Sequence, residues 1–372
     1  CHALTRDGTI KNTNVNDPGI INNLRVLQLP DGGFDISHYW LASKIPPKLF
    51  VEMNTEMVRL LVNGVSKLQT VGVIHQDLKG PNIVYSVKTN LARVIDWGIS
   101  TVLVGKKIPE SVRGWPVMYN QPLCNLVFNR HIQKIYNNVM KISKIKDLIS
   151  IYYGSDLISY LQPFVTKIFM NFIFVDERTV INHIGSIGHI YYLERLLGKI
   201  SNAVTPNPFR SVSKIICNHL AKVFLTYSIK DNKIGVFREN EFFNTVYKYN
   251  CDVIGFLSSY IDIIMNKTVP HAISMRVIEI INKYYLDPNY AVVKIDVPDL
   301  AKELMELNTI MTPTSITTTI PQPMIISQTK RCPRGMRRDK KTMKCIKKAA
   351  PPAKKAAPPA KKAAPPAKKA AP

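Results

Sequence analysis

Paired cysteines are the first thing missing from this sequence. Its six cysteines, Cys1, Cys124, Cys217, Cys251, Cys332 and Cys345, are scattered and form no C-x-x-C pair. That spacing suggests neither a disulfide framework nor a four-ligand zinc site, and makes a reducing compartment the default. Long apolar runs are missing too. The most apolar stretch, Leu148 to Val175, is broken by Asp156, Gln162 and Lys167, short of the roughly 20 apolar residues of a membrane helix. No transmembrane span and no signal peptide are read, so a secreted or membrane-embedded protein is not expected. Acid is scarce at one end: residues 329–372 hold 16 of the 50 Lys and Arg and one acid, Asp339. The formal charge of +24 is therefore concentrated in a tail, and the body is only mildly basic.

What is present is a chain of 372 residues, 46% hydrophobic, enough for one sizeable core of about 300 residues plus a polar appendage. It begins with Cys1, and a start inside a longer reading frame is the expectation. Residues 1–23, rich in Asn, Asp, Gly and Thr, read as loop. Leu24 to Leu29 reads as a short strand closed by the turn Pro30-Asp31-Gly32-Gly33. A helix is expected from a cap at Asn54 to about Gly72, because Met57, Leu60, Leu61, Val65 and Leu68 recur at helical spacing. Ile83 to Val87 and Ala92 to Ile95 read as a small hairpin, and 123–248 as apolar, aromatic and helical. Further helices are expected at Val253 to Met265, Ile273 to Tyr285 and Asp299 to Leu307, then a linker over 309–328. From Lys347 the tail repeats K-K-A-A-P-P-A every seven residues; its proline pairs forbid a continuous helix and predict an extended, disordered chain.

The informative run is His75-Gln76-Asp77-Leu78-Lys79-Gly80-Pro81-Asn82, followed 14 residues after Asn82 by Asp96-Trp97-Gly98. It resembles the H-R-D-L-K-x-x-N loop and D-F-G motif of serine/threonine protein kinases, at the family's separation and in its helix, loop, hairpin order. The resemblance implies an α+β protein-kinase-like fold, mainly the helical carboxy-terminal lobe with a hinge. It implies ATP and Mg2+ as cofactors and a protein as substrate. Asp77 would accept the substrate hydroxyl proton, Lys79 would steady the transferring phosphoryl group, Asn82 and Asp96 would hold the metal, and His75 would be a packing and hydrogen-bonding residue. Taken singly, each of these is far more often a solvated loop carboxylate or a turn asparagine.

Small-molecule kinases of the aminoglycoside and choline type share H-x-D-x-x-x-x-N and often carry I-D-W. Lys79, and the run Gly114-Trp115-Pro116-Val117-Met118-Tyr119-Asn120-Gln121-Pro122, which resembles the end of an activation segment, favour a protein substrate. Leu27 to Gly33 resembles the end of the amino-terminal lobe and its hinge, which would put Leu27, Gln28, Leu29 and Pro30 at the adenine. Asp252-Val253-Ile254-Gly255 loosely resembles the start of the long central helix whose Asp braces the loop.

Gln76 replaces the Arg that receives the activation-loop phosphate, so control by that phosphate is not expected. Leu123 stands where the family has the Glu of A-P-E, which puts that ion pair in doubt. No G-x-G-x-x-G loop, V-A-I-K lysine or partner glutamate precedes the hinge, so residues 1–23 read as a remnant of the amino-terminal lobe. The 123–248 span reads either as a docking insertion or as an enlarged helical lobe. With the C-P-x-G-x-R-R-x-K-K-T run from Cys332, it resembles kinase-like proteins of giant nucleocytoplasmic DNA viruses, implying a host-cytoplasm or virion location, or otherwise cytoplasm or nucleus. Residues 329–372 would suit nucleic acid or an acidic surface through sequence-independent phosphate neutralisation, or be a solvated tail without a partner. An active kinase, a catalytically dead scaffold and a nucleic-acid tether all stand as readings.

Overall fold

The computed structural model describes residues 2–4, 10–12, 32–105, 107–152, 154, 156–173, 187–201, 208–231, 233–312, 336–338 and 345–347. These form an α+β, mostly helical fold with small antiparallel sheets. The chain divides into one unit over Cys1–Pro323 and a second over Met324–Pro372. The boundary falls inside the expected linker.

In the first unit the long early helix starts at Pro47, not Asn54, and runs through Leu60. A π turn at Leu61–Val65 and a final turn at Ser66–Thr70 carry it on to Gly72, which has φ +75°. The start is set by proline, whose fixed φ and missing N–H suit a first helical position. Asn54 is instead a buried mid-helix amide. Its Nδ2 donates to Leu304 O at 2.8 Å and Asn308 Oδ1 at 2.9 Å, and its Oδ1 accepts from Tyr260 OH at 2.8 Å. The partners come from the helices Ile261–Met265 (just after Tyr260) and Val297–Met311. What resembles a cap in sequence is thus a polar lock between helices, fully satisfied as burial demands.

The hairpin is present as Ile83–Ser86 paired with Leu91–Val94, Ile83 opposite Val94. Phe34–Asp35 adds a third strand beside it. Gly33, at φ +89°, lies so close to that strand that a Cβ would stand 2.0 Å from Tyr85 O. Only glycine fits there. Residues 1–23 are not all loop: His2–Leu4 pairs with Ile10–Asn12.

The 123–248 span is helical at Arg130–Val139, Ser143–Ser150, Leu157–Ile173, Ile187–Ser201 and Pro208–Ser228. Its apolar faces belong to the same continuous core as the rest of the unit, from Ile36 and Trp40 through Phe169, Leu193 and Phe224 to Leu307. Tyr136 stacks on Phe224 with centroids 4.4 Å apart. The span is therefore packed into the core of the unit and is not a separately folded appendage. The later helices run longer than expected: Lys248–Ser258 then Ile261–Met265, His271–Ile281 with a π turn to Leu286, and Val297–Met311. In the second unit Met336–Arg338 pairs antiparallel with Cys345–Lys347, so part of the expected disordered tail is a short ribbon; neither M-R-R nor C-I-K shows the alternation that signals a strand.

Candidate active site

Two loops meet because their flanking strands are paired. Val73–Ile74 pairs with Thr101–Val102, and Ile83–Ser86 with Leu91–Val94. The 75–82 loop leaves one ladder and enters the other, and 95–100 returns between the same two ladders. Ile95 is stapled from both sides: its N–H donates to Asn82 O at 3.0 Å, and its carbonyl accepts from His75 Nε2 at 2.9 Å. That carbonyl fixes the His75 proton on Nε2. The imidazole is buried and packs edge-on against Trp97 with centroids 4.8 Å apart.

Below the loop lies Asp252, at 1% exposure. Its two oxygens accept the N–H groups of His75 at 2.8 Å and Gln76 at 3.0 Å. Burial raises its carboxyl above the usual range, while the two N–H bonds pull it down. One turn further on, a Cβ on Gly255 would stand 2.6 Å from Leu78 O and 3.1 Å from Asn120 O. The helix Lys248–Ser258 thus touches the loop through a residue without a side chain.

Asp77 is the hub. Its carboxylate accepts from Lys79 Nζ at 2.9 and 2.8 Å, Asn82 Nδ2 at 3.1 Å and Asn120 Nδ2 at 2.9 Å. Asn82 Nδ2 also donates to Asp77 O at 2.7 Å, and its Oδ1 has no hydrogen-bond partner among the described residues. Asp96 is exposed and left-handed, with φ +61°, a conformation that costs a non-glycine residue about 1–3 kcal/mol. Gln76 shares it at φ +67°. Among the described residues no group of three or more His, Cys, Asp or Glu could cage a metal. The donor set is one carboxylate, Asp96, and one amide oxygen, Asn82. That oxygen-only pair fits Mg2+ held mainly by substrate phosphates rather than by an all-protein cage.

The structure brings Asp77, Lys79 and Asn82 together and joins Asp96 to Asn82 through Ile95. Leu27, Gln28, Leu29 and Pro30, expected at the adenine, lie outside the described residues.

Gln76 is buried with all its polar groups engaged. Its Nε2 donates to Ile99 O at 2.8 Å and Thr101 Oγ1 at 2.6 Å. Its Oε1 accepts from Ser111 Oγ and Trp115 Nε1, both at 3.3 Å, and its carbonyl accepts from Gln121 Nε2 at 2.7 Å. One neutral side chain thus ties the loop to the 99–121 segment. Among the described residues the hydrogen-bond partners of the Gln76 side chain are all neutral.

The far end of that segment is also held without the expected glutamate. Leu123 is buried in the core, Asn125 Nδ2 donates to Pro116 O at 2.6 Å, and Tyr285 OH donates to Tyr119 O at 2.8 Å. An ion pair also holds the segment: Arg113 grips Glu239 bidentately at 2.5 and 2.9 Å, and Gln133 Nε2 donates to the same carboxylate at 2.7 Å. Asn120, Gln121, Arg113 and Glu239 carry no role in the sequence reading. The first two stand inside the run quoted for the activation segment, but nothing in their type announces which atom they reach.

No protein-family model, no curated protein and no solved structure matches the chain.

Proposed function

We propose that this chain carries the phosphotransfer lobe of a serine/threonine protein-kinase-like enzyme, with ATP as phosphoryl donor and a protein hydroxyl as acceptor. The observation that carries the reading is the Asp77 carboxylate, fixed by three side chains on a loop that Asp252 braces from below. A base that needs no reorganisation suits a reaction whose catalysis is mostly positioning and electrostatics. The acceptor hydroxyl lies against Asp77, which takes its proton as the oxygen attacks the terminal phosphorus and the bond to the nucleoside diphosphate breaks. Lys79, paired with Asp77 in the free protein, shares its ammonium with the entering phosphoryl oxygens. Asp96 and Asn82 Oδ1 would hold Mg2+, which when bound neutralises phosphate charge.

The reading gives an α+β kinase-like lobe with an enlarged helical part. The segment reaches its place through Gln76 and the Arg113–Glu239 pair, with no phosphate required. Among the described residues no helix is long and apolar enough to cross a membrane. A second reading is a catalytically dead scaffold. The two separate on nucleotide binding and transfer. Radiolabelled ATP with a basic protein acceptor gives label transfer that Asp77→Ala and Asp96→Ala each abolish if the lobe is catalytic. Binding of a partner without any transfer is the result for a scaffold.

For the tail we propose phosphate-directed, sequence-independent binding through the lysine pairs of 329–372. Affinity for DNA measured across a salt series, with and without residues 329–372, tests it. Affinity unchanged on deletion rules it out.

A further inference from the structure

The helix Ile187–Ser201 belongs to the enlarged part of the lobe, yet it reaches the Asp77 site. His189, half-buried on its first turn, accepts the backbone N–H of Tyr119 on Nδ1 at 3.3 Å. Its ring lies against the Tyr119 ring with centroids 5.2 Å apart. Three residues on, Tyr192 packs on the other part of Tyr119 at 4.2 Å and donates its hydroxyl to Asp262 Oδ1 at 2.9 Å. The residue after Tyr119 is Asn120, whose Nδ2 donates to Asp77 Oδ1 at 2.9 Å. One short path therefore runs from the helix, through a single backbone N–H, to the carboxylate.

From this geometry we infer that His189 is a positioning residue for Asp77: its Nδ1 fixes the Tyr119–Asn120 backbone, and that backbone aims the Asn120 amide at the carboxylate. The inference rests on the phosphotransfer reading for its effect on rate, but its effect on the segment is independent of that reading. An Nδ1 that accepts an N–H must be unprotonated, so the neutral ring carries its proton on Nε2. Burial, then the nearby Lys79 ammonium, hold the imidazole below its ordinary range, in keeping with the acceptor role; Asp77 pulls the other way. The Tyr119 carbonyl is held separately by Tyr285 OH at 2.8 Å; no other side chain is a hydrogen-bond partner of the Tyr119 N–H among the described residues, so that end of the residue falls to His189.

Asparagine places an oxygen where Nδ1 stands, whereas glutamine places its amide where Nε2 stands. The experiment uses His189→Ala, His189→Asn and His189→Gln in the full-length protein, with hydrogen exchange over residues 115–123 and phosphotransfer kinetics on each. The expected result is faster exchange at Tyr119 in the Ala and Gln variants, with kcat lowered at least tenfold and KM for ATP unchanged. Asn restores wild-type exchange and brings kcat to within about threefold. Exchange and kcat unchanged in His189→Ala overturn the inference, as does rescue by Gln rather than Asn. If the wild-type protein transfers no phosphate, the kinase reading falls, and the exchange pattern alone decides whether His189 holds the segment.

Discussion

Asn120 Nδ2 donates to Asp77 Oδ1 at 2.9 Å and to Leu78 O at 3.2 Å, across 43 and 42 residues of sequence. The first contact orients the carboxylate and the second ties the same amide to the loop backbone. Removing that amide leaves Asp77 held by Lys79 and Asn82 alone. Asn120→Ala is expected to lower kcat roughly ten- to hundredfold, in the range found when a group that orients or assists a base is lost, with a smaller effect on KM for ATP. A change confined to KM would contradict an orienting role.

Asp252 bears on stability more than on chemistry. Asp252→Ala strips partners from two buried N–H groups, and at about 1–3 kcal/mol per unsatisfied donor the fold should lose roughly 2–6 kcal/mol. Denaturant unfolding reads this as a lower midpoint at unchanged slope. A loss below about 1 kcal/mol would show that water replaces the carboxylate freely.

How much of this was legible beforehand follows from the kind of contact involved. The 75–82 loop and the Asp96 strand end are legible through resemblance to a family's motifs, and the hairpin through two local apolar runs. Asp252 was read only loosely, since its link to His75 spans 177 residues. Asn54 resembles a cap because capping chemistry is local; its real partners lie 206 to 254 residues away. Asn120 and Gln121 were in view but roleless, as an amide's target is set by tertiary packing. The Arg113–Glu239 pair spans 126 residues and leaves no periodic trace. His189 lies in a stretch read only as helical.

Gln76 predicts phosphate-independent activity. Phosphatase treatment of the purified protein should leave phosphotransfer within about twofold, while Gln76→Ala, which frees the 99–121 segment, should lower it about tenfold or more, as misplaced catalytic groups do. Activity lost on phosphatase treatment contradicts this.

The Arg113–Glu239 pair is only 21% and 17% exposed and is shared with Gln133. Between the small value of exposed pairs and the 3–5 kcal/mol lost when a buried partner is removed, a double-mutant cycle with Arg113→Met and Glu239→Gln should give a coupling of about 1–3 kcal/mol. Coupling near zero would mean the segment is anchored by its amides alone.

Acid should destabilise the fold through histidine. His219 is 3% exposed and its Nδ1 donates to Ile215 O at 2.8 Å; burial lowers its pKa below the ordinary 6.5. The unfolded chain therefore takes up the proton first. The stability from a neutral His219 is fully present above pH 6.5 and is lost as pH falls through the folded value, with a slope of up to about 1.4 kcal/mol per pH unit. His189, shifted the same way by burial and Lys79, adds to it. Urea midpoints at pH 8, 7, 6 and 5 should fall below pH 6.5, less steeply in His219→Gln. An equal slope in that variant removes His219 from the account.

The most direct test is transfer of labelled phosphate from ATP to a basic protein acceptor by the full-length protein, its Asp77→Asn variant and its Asp96→Asn variant, with thermal unfolding run in parallel. The expected result is transfer by the wild type, a loss of at least a hundredfold in each variant, and unfolding temperatures within a few degrees of one another. Wild-type transfer by the Asp77→Asn protein would contradict the assignment of Asp77 as the base.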